Sequence, residues 1–266
     1  LGNLYRQALK KHSYSLIVIL TILWSFFSVT WSSEMIHGGG ITTMSQMVSA
    51  MFEPDLSSLV LSTGMEATVR TVVYAFAGLS VAMIFGLILG LSGSKVLGKT
   101  TRLSKIRRQF SRRLLGFMRG IHELVWALLL IASLGLSPIA GVLALGIPYG
   151  GMLGRIWADL LDSVDEDLVS ALETSGASKL QTFIYVYIPV ALPDMLSYTM
   201  YRLECGIRSS SVMGFIGLGG LGYQIQLALD DLAYNEVWTY LYLLIIMVTM
   251  IDLWSKGLRR RLHHDL

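Results

Sequence analysis

Apolar residues along this chain gather into long continuous runs; they neither alternate with polar ones nor keep to a single helical stripe. Runs near the ~20 residues that a helix needs to cross a hydrocarbon core lie at Tyr14 to Trp31, Val72 to Leu91, Ile121 to Leu136, Ile139 to Trp157, Val190 to Cys205 and Val237 to Trp254. The fifth is the least apolar, because it carries Asp194, Arg202 and Glu204. Runs without a two-residue period predict helices and argue against a strand barrel. The pattern therefore predicts an all-α membrane protein with six transmembrane helices.

Composition agrees. Of 266 residues 53% are hydrophobic and 15% charged, with a mean hydropathy of +0.59, whereas a water-soluble domain carries about 25% charged residues. The lone Cys205 excludes an intrachain disulfide and any multi-cysteine metal site. The first run follows Arg6, Lys10 and Lys11, as a signal peptide would. It is longer than a typical signal core and lacks a small-x-small cleavage site, so it reads as a retained anchor.

Basic residues set the orientation, since short loops rich in Lys and Arg stay in the cytoplasm. Residues 32–67 hold Glu34, Glu53, Asp55 and Glu66 but no Lys or Arg, as expected of an exterior loop. The segment Ser94 to Gly120 holds nine basic residues and no acid, and Lys256, Arg259, Arg260 and Arg261 follow the last span. Both termini are then expected in the cytoplasm of a multi-pass inner-membrane protein. In the basic segment Leu103, Ile106, Phe110, Leu114 and Phe117 recur on one helical face. That face either lies on anionic membrane lipid or packs on neighbouring helices. Basic residues that adjoin a span do not indicate a nucleic-acid partner.

The next cytoplasmic segment, Ala158 to Ile188, is acidic at first, with Asp159, Asp162, Asp165, Glu166, Asp167 and Glu173. Topology rules do not explain this, but capping chemistry goes further. Ser163-x-x-Glu166 has the form of a capping box, which predicts a helix from about Val164 with an apolar stripe of Val164, Leu168, Ala171 and Leu172. Gly176 supplies the left-handed position that ends helices. Ser178-x-x-Gln181 repeats the box and predicts a second helix from Lys179 towards Pro189. The product is helix, glycine hinge, helix. Its stripe suits a groove on another protein, or folds back on its own bundle.

This spacing resembles a family motif. Ala171-Leu172, Gly176-Ala177 and, nine residues on, Val186-x-Ile188-Pro189 resemble the EAA loop of ABC importer permeases. Ser170 stands where the general motif has Glu, and Leu172 where it has its second Ala. The segments HELVWALLL (from His122), SPIAGVLALGIPYGGMLGR (from Ser137), LSYTMYRLECGIRSSSVMGFIGLGGLGYQI (from Leu196) and the terminal RRRL are similar to the phosphonate permease subfamily, PhnE type. The resemblance implies a type I ABC importer permease fold (MetI-like). It implies an anchor and exterior loop over 1–63, a permease domain over 64–266, and a coupling loop at 159–189. It further implies a homodimer with two ATP-binding cassette subunits and a periplasmic or lipoprotein substrate-binding protein. ATP and Mg belong to the partner subunit, and this chain binds no cofactor or metal and is no enzyme itself. The coupling residues on this reading are Asp167, Ser170, Ala171, Leu172, Glu173, Gly176, Ala177, Ser178, Lys179 and Gln181.

Charges inside the fifth run are costly and should face the bundle or a water-filled path. At ~1.5 Å per residue, counting from Val190 places Arg202 and Glu204 near the bilayer centre. Glu204 and Arg208, four apart, are expected to pair. Arg202 is left for Glu123 or a passing oxyanion, whose geometry suits guanidinium; a structural ion pair is the alternative. GFIGLGGLG, from Gly214 to Gly222, lacks a Walker lysine. With Gly217, Gly219, Gly220 and Gly222 it is expected to bend the chain near an outer gate. Pro148 is expected to kink the fourth span. The resemblance to the phosphonate permeases implies that the transported anion is a phosphonate, phosphite or hypophosphite. A self-sufficient ion-coupled transporter using Arg202, Glu204 and Glu123 is the competing reading.

Overall fold

A computed structural model describes residues 2–28, 39–98 and 101–264, with side chains described for 13–28, 39–98 and 101–261. The described residues are all-α, and the chain forms two compact units, Leu1–Ser49 and Ala50–Leu266. In the first, α1 (Gly2–Ser28) carries the apolar stretch Ser13–Ser28, and α2 (Gly40–Ala50) ends at the junction of the units. The expected first span reaches Trp31, and residues 29–38, with Glu34, lie outside the described residues.

The second unit holds α3 (Ser58–Gly93), α4 (Arg102–Gly120), α5 (Glu123–Leu134), α6 (Pro138–Asp162), α7 (Glu166–Thr174) and α8 (Lys179–Thr182). A π-helical turn, Phe183–Tyr187, leads into α9 (Ile188–Met213); a second, Gly214–Leu218, precedes α10 (Leu221–Asp230) and α11 (Tyr234–His264). Among the described residues three helices, α3, α6 and α11, are long and apolar enough to cross a membrane. Two bent pairs raise the number to five if each is one span: α4 with α5, bent by 88°, and Lys179–Leu218 with α10, bent by 50°.

Several boundaries differ from the sequence expectation. α3 starts at Ser58, well before Val72, so much of the expected exterior loop is helix. Ser57 caps it, accepting from the Val60 N–H, and Glu66 and Arg70 pair at 3.4 Å one turn apart. A charged turn that satisfies itself extends a helix. The third expected span shrinks to the 12 residues of α5, because Ile121 and His122 adopt extended backbone and His122 caps a new helix. Pro148 lies buried inside α6, which runs through it as one unbroken helix.

The polypeptide before α3 is tied to the start of α11. Asn235 Nδ2 donates to the Glu53 carbonyl at 2.7 Å, Thr239 Oγ1 to the Asp55 carbonyl at 2.8 Å, and Tyr242 OH to the Met51 carbonyl at 2.7 Å. These bonds satisfy carbonyls that no helix serves.

The principal contact joins α3 to α6. Side chains at Gly86 and Gly90 would collide with α6: a Cβ on Gly90 would sit 2.9 Å from the Gly154 carbonyl oxygen. Small residues let helix backbones approach where lipid supplies no hydrophobic drive. Gly90→Val is therefore expected to destabilise the detergent-solubilised protein by about 1–3 kcal/mol through overpacking. Gly257→Ala, at a position with nothing within 4 Å, is expected to leave the thermal midpoint unchanged or slightly raised in the same assay.

Candidate functional site

The acidic segment after α6 forms the helix–turn–helix that its spacing predicts, with one capping residue exchanged. Ser163 does not start α7. Its backbone is still helical (φ −87°, ψ −8°) and its hydroxyl donates to the Leu160 carbonyl, closing α6. Asp165 caps α7, accepting from the Asp167 N–H at 2.9 Å. The reason is burial: Leu161 and Val164 are both buried, which holds α6 in register to its end and moves the cap two residues on. Aspartate caps as well as serine.

At the other end Gly176 has φ +89°, a conformation that costs an L-residue ~1–2 kcal/mol. The Gly176 N–H donates to Glu173 and the Ala177 N–H to Leu172, so the turn satisfies carbonyls at the end of α7. Ser178 and Gln181 form the complete capping box at the start of α8. Pro189, expected either to interrupt the second short helix or to mark entry into the next span, does the latter. It sits in the first turn of α9, and the Ile188 N–H bonds five residues back to Phe183, the π-helical spacing.

Leu168, Ala171 and Leu172 of the expected stripe, together with Tyr185, Val186 and Val190, line an open hollow of about 350 Å³. Val164 is buried instead, and α7 anchors inward through Val169. Asp167, Ser170, Glu173, Lys179 and Gln181 are exposed, and the Ser170 hydroxyl donates to the Asp167 carbonyl. Glu173 and Lys179 border a smaller polar recess with Lys95 and Thr182.

The acids that open this segment have a partner that spacing did not reveal. Arg112 of α4 bridges Asp159 and Asp162, each at 2.9 Å, and its Nε donates to the Gly93 carbonyl. Asp162 also accepts the Lys95 N–H, and Arg155 pairs with Asp159 at 3.0 Å. The acids at the end of α6 thus pair with one arginine of the basic helix beside it. Sequence reasoning had both charge blocks, but nothing in spacing joins them.

On α9 the expected Glu204–Arg208 pair does not form. Glu204, its side chain 6% exposed, accepts from Arg259 of α11 at 2.7 Å. Arg259 lies beyond Trp254, in the basic end of α11, and Asp252, another neighbour of Glu204 and Arg208, pairs with Lys256. Glu204 is therefore joined to the basic end of α11. Arg208 is exposed and borders an apolar hollow of about 410 Å³ with Ser211, Phe215, Ile225, Leu244 and Thr249.

Arg202 does not pair with Glu123. Its Nε and Nη2 donate to Tyr198 OH at 3.2 and 2.8 Å, and its guanidinium lies 5.2–5.7 Å from the rings of Tyr149, Tyr198 and Tyr201. Among the described residues no carboxylate lies within 4 Å of it. Glu123 accepts from Ser209 Oγ at 2.6 Å, and Tyr149 OH lies 2.9 Å from the same hydroxyl. Because Ser209 has one hydrogen and gives it to the carboxylate, Tyr149 is the donor to Ser209. The Tyr149 ring thus stands between Glu123 and Arg202, joining α5, α6 and α9.

The glycine-rich segment bends as expected, with φ of +91°, +86° and +83° at Gly217, Gly219 and Gly220. Thr71 of α3 clasps it: its hydroxyl accepts the Leu221 N–H at 2.9 Å and its carbonyl accepts from Ser210 at 2.9 Å. Gly222 lies against the Ser211 carbonyl, with no room for a side chain.

The sequence profile of a family described as the binding-protein-dependent transport system inner membrane component matches residues 82–266. HtxC of Stutzerimonas stutzeri, named as a phosphite transport system permease protein, is 31% identical over 255 residues, 94% of this chain and 86% of that protein. PtxC of the same organism, a phosphite transport system permease protein, is 29% identical over 221 residues, 83% of this chain and 78% of that one. A solved structure of the MetNI methionine ABC transporter in inward-facing conformations superposes with a TM-score of 0.67 at 19% identity, over 78% of this chain and 99% of that chain. This last likeness concerns the fold.

Removing one partner of a buried ion pair strands the other. Glu204→Gln is expected to cost about 3 kcal/mol, and the double variant Glu204→Gln/Arg259→Gln less than the sum of the single changes. Thermal unfolding of the four proteins in detergent measures this coupling; additive losses would show that the pair contributes nothing.

Proposed function

The chain belongs to the family of binding-protein-dependent transport system inner membrane components, and from that premise we propose that it is the permease subunit of an ATP-driven importer for phosphonate-like anions: phosphonate, phosphite or hypophosphite. It is a multi-pass inner-membrane protein. The substrate class is supported by the names of the relatives and by a guanidinium on α9 without a carboxylate partner.

The observation that carries the mechanism is the capped, exposed helix–turn–helix at α7 and α8. Its open apolar hollow, lined by Leu168, Ala171, Leu172, Tyr185, Val186 and Val190, presents a rigid surface of the kind a partner's groove or an inserted side chain can fill. On this reading an ATP-binding cassette subunit docks there. One chain supplies one such unit, so two copies about a two-fold axis engage two ATPase subunits. ATP and Mg act on those subunits, and their closure is relayed through α7, Gly176 and α8 into α9. α9 is the helix that carries Arg202 and leads into the glycine turn, so one rigid rotation moves both. Two populations, open inward or outward, are then exchanged by the nucleotide state.

Both termini lie in the cytoplasm on this reading, and six segments cross the membrane: α1, α3, α5, α6, α9 with α10, and α11. The turn at Gly217, Gly219, Gly220 and Gly222, held by Thr71, then faces the exterior as the outer gate, below a substrate-binding protein that selects the anion. Arg202 meets the anion in transit. Its aromatic shell stabilises the cation without neutralising it, so an oxyanion gains a charge-assisted contact that is weak enough to release.

Uptake of labelled phosphite, methylphosphonate and phosphate into proteoliposomes, with the candidate ATPase and binding protein, tests this reading. Transport is expected to require the ATPase and ATP. Gly176→Pro is expected to lower it at least about tenfold, because proline fixes φ near −65°. Uptake by the chain alone, driven by an ion gradient, would overturn the proposal. Arg202→Gln is expected to reduce uptake by about tenfold, the loss of one charge-assisted bond, while the assembled complex is recovered in full. Unchanged uptake would remove Arg202 from the path.

A further inference from the structure

α4 presents large apolar side chains to the outside of the bundle. Leu103, Ile106, Phe110 and Phe117 are 59–77% exposed, though they share one face at helical spacing. The orientation is fixed from the other side. Ser104, Ser111, Leu115 and Met118 are buried, and Leu115 and Met118 lie against Gly151 and Gly154 of α6. Arg107 donates to the Ser92 and Leu97 carbonyls, and Arg112 holds Asp159, Asp162 and the Gly93 carbonyl. With its inner side so anchored, α4 cannot roll to hide the stripe.

Charge says what covers it. Seven of the 19 residues of α4 are Lys or Arg, and residues 94–120 contain no acid. Such a helix does not cross hydrocarbon, and it turns 88° away from apolar α5. Arg102 and Arg113 each directly precede a stripe residue and sit one turn from Ile106 and Phe117; both are exposed, as is Lys105. α4 also follows one membrane helix and leads into another apolar one, so it lies where the chain leaves the bilayer. A surface that needs apolar cover and anions together, at that level, matches the acyl–headgroup boundary of an anionic leaflet.

We propose that α4 is an interfacial helix that binds anionic lipid headgroups on the cytoplasmic leaflet, with Leu103, Ile106, Phe110 and Phe117 sunk to the acyl boundary and Arg102, Lys105 and Arg113 at the phosphates. The site has a mechanical consequence. Arg112 joins α4 to Asp159 and Asp162, which end α6 just ahead of α7, so lipid that seats α4 braces the base of the helix–turn–helix.

The full-length chain is reconstituted in vesicles of phosphatidylethanolamine with phosphatidylglycerol, or of phosphatidylcholine. In a Cys205→Ser background, spin labels at Phe110→Cys, Phe117→Cys and Gln109→Cys report collision with oxygen and with a water-soluble nickel chelate. Labels at 110 and 117 are expected to meet oxygen and not the chelate, and the label at 109 to meet the chelate. Leu103→Cys replaces any variant that fails to assemble. Arg102→Gln/Arg113→Gln is expected to lower the affinity for phosphatidylglycerol about thirtyfold and so to lose most of the co-purified lipid, since each cation near the surface contributes about 1 kcal/mol, with an unchanged thermal midpoint. Chelate access at 110 and 117 would put the stripe in water, and shielding from both reagents would put a second copy on it; either overturns the proposal. Equal immersion and equal lipid retention in the wild type and the double variant would overturn the anionic preference. These readouts do not involve transport, so they stand or fall apart from the importer assignment.

Discussion

The close approach of α3 and α6 is the contact on which the second unit is built. Lipid tails are as apolar as leucine, so helices inside a bilayer are held by contact at short range and not by escape from water. Gly86 and Gly90 meet Gly154 backbone to backbone, and Gly78 and Gly146 seat against Leu145 and Val81. The same α6 offers Gly151 and Gly154 to α4, where Leu115 and Met118 fill the space. With α6 gripped on two sides, the acids at its end are presented to Arg112. The cytoplasmic architecture is thus set by glycines within the span, through helix spacing.

Electrostatics then sorts the charged residues by whether the fold answers them. Glu204 finds Arg259, Arg112 finds Asp159 and Asp162, and Glu123 is held through Ser209 and Tyr149. Each is a charge satisfied by a neighbour from another helix, and at the buried Glu204 the pairing offsets the cost of leaving water. Arg202 is answered by a phenol and three aromatic faces. Such a setting holds a guanidinium in place and leaves its charge unneutralised.

The helix–turn–helix combines local rigidity with exposed apolar surface. Asp165, Gly176, and the Ser178–Gln181 box each satisfy backbone groups that short helices leave open, so the unit holds its shape with little burial of its own. Burial is supplied at Val164, Val169 and Thr182, which leaves Leu168 and Leu172 at the open hollow.

Much of this was legible in the sequence wherever the cause is local. Continuous apolar runs marked the helices, because the bilayer demands length. Gly176 and the Ser178–Gln181 box marked the turn, because capping acts over three or four residues. The motif spacing around Gly176 placed the chain in its family. The same local reasoning went astray where burial competes with capping, at Ser163, and where a self-paired turn prolongs a helix, at Glu66 and Arg70. What only the tertiary structure decided are the partners between helices: Arg259 for Glu204, Arg112 for the acidic segment, Thr71 for the glycine turn, and an aromatic shell for Arg202. Those pairings, apart from Tyr198 and Tyr201 beside Arg202 on α9, join residues far apart in the chain, and their distances depend on how closely α3, α6, α9 and α11 pack. No periodicity along one helix encodes the rotation of its neighbour.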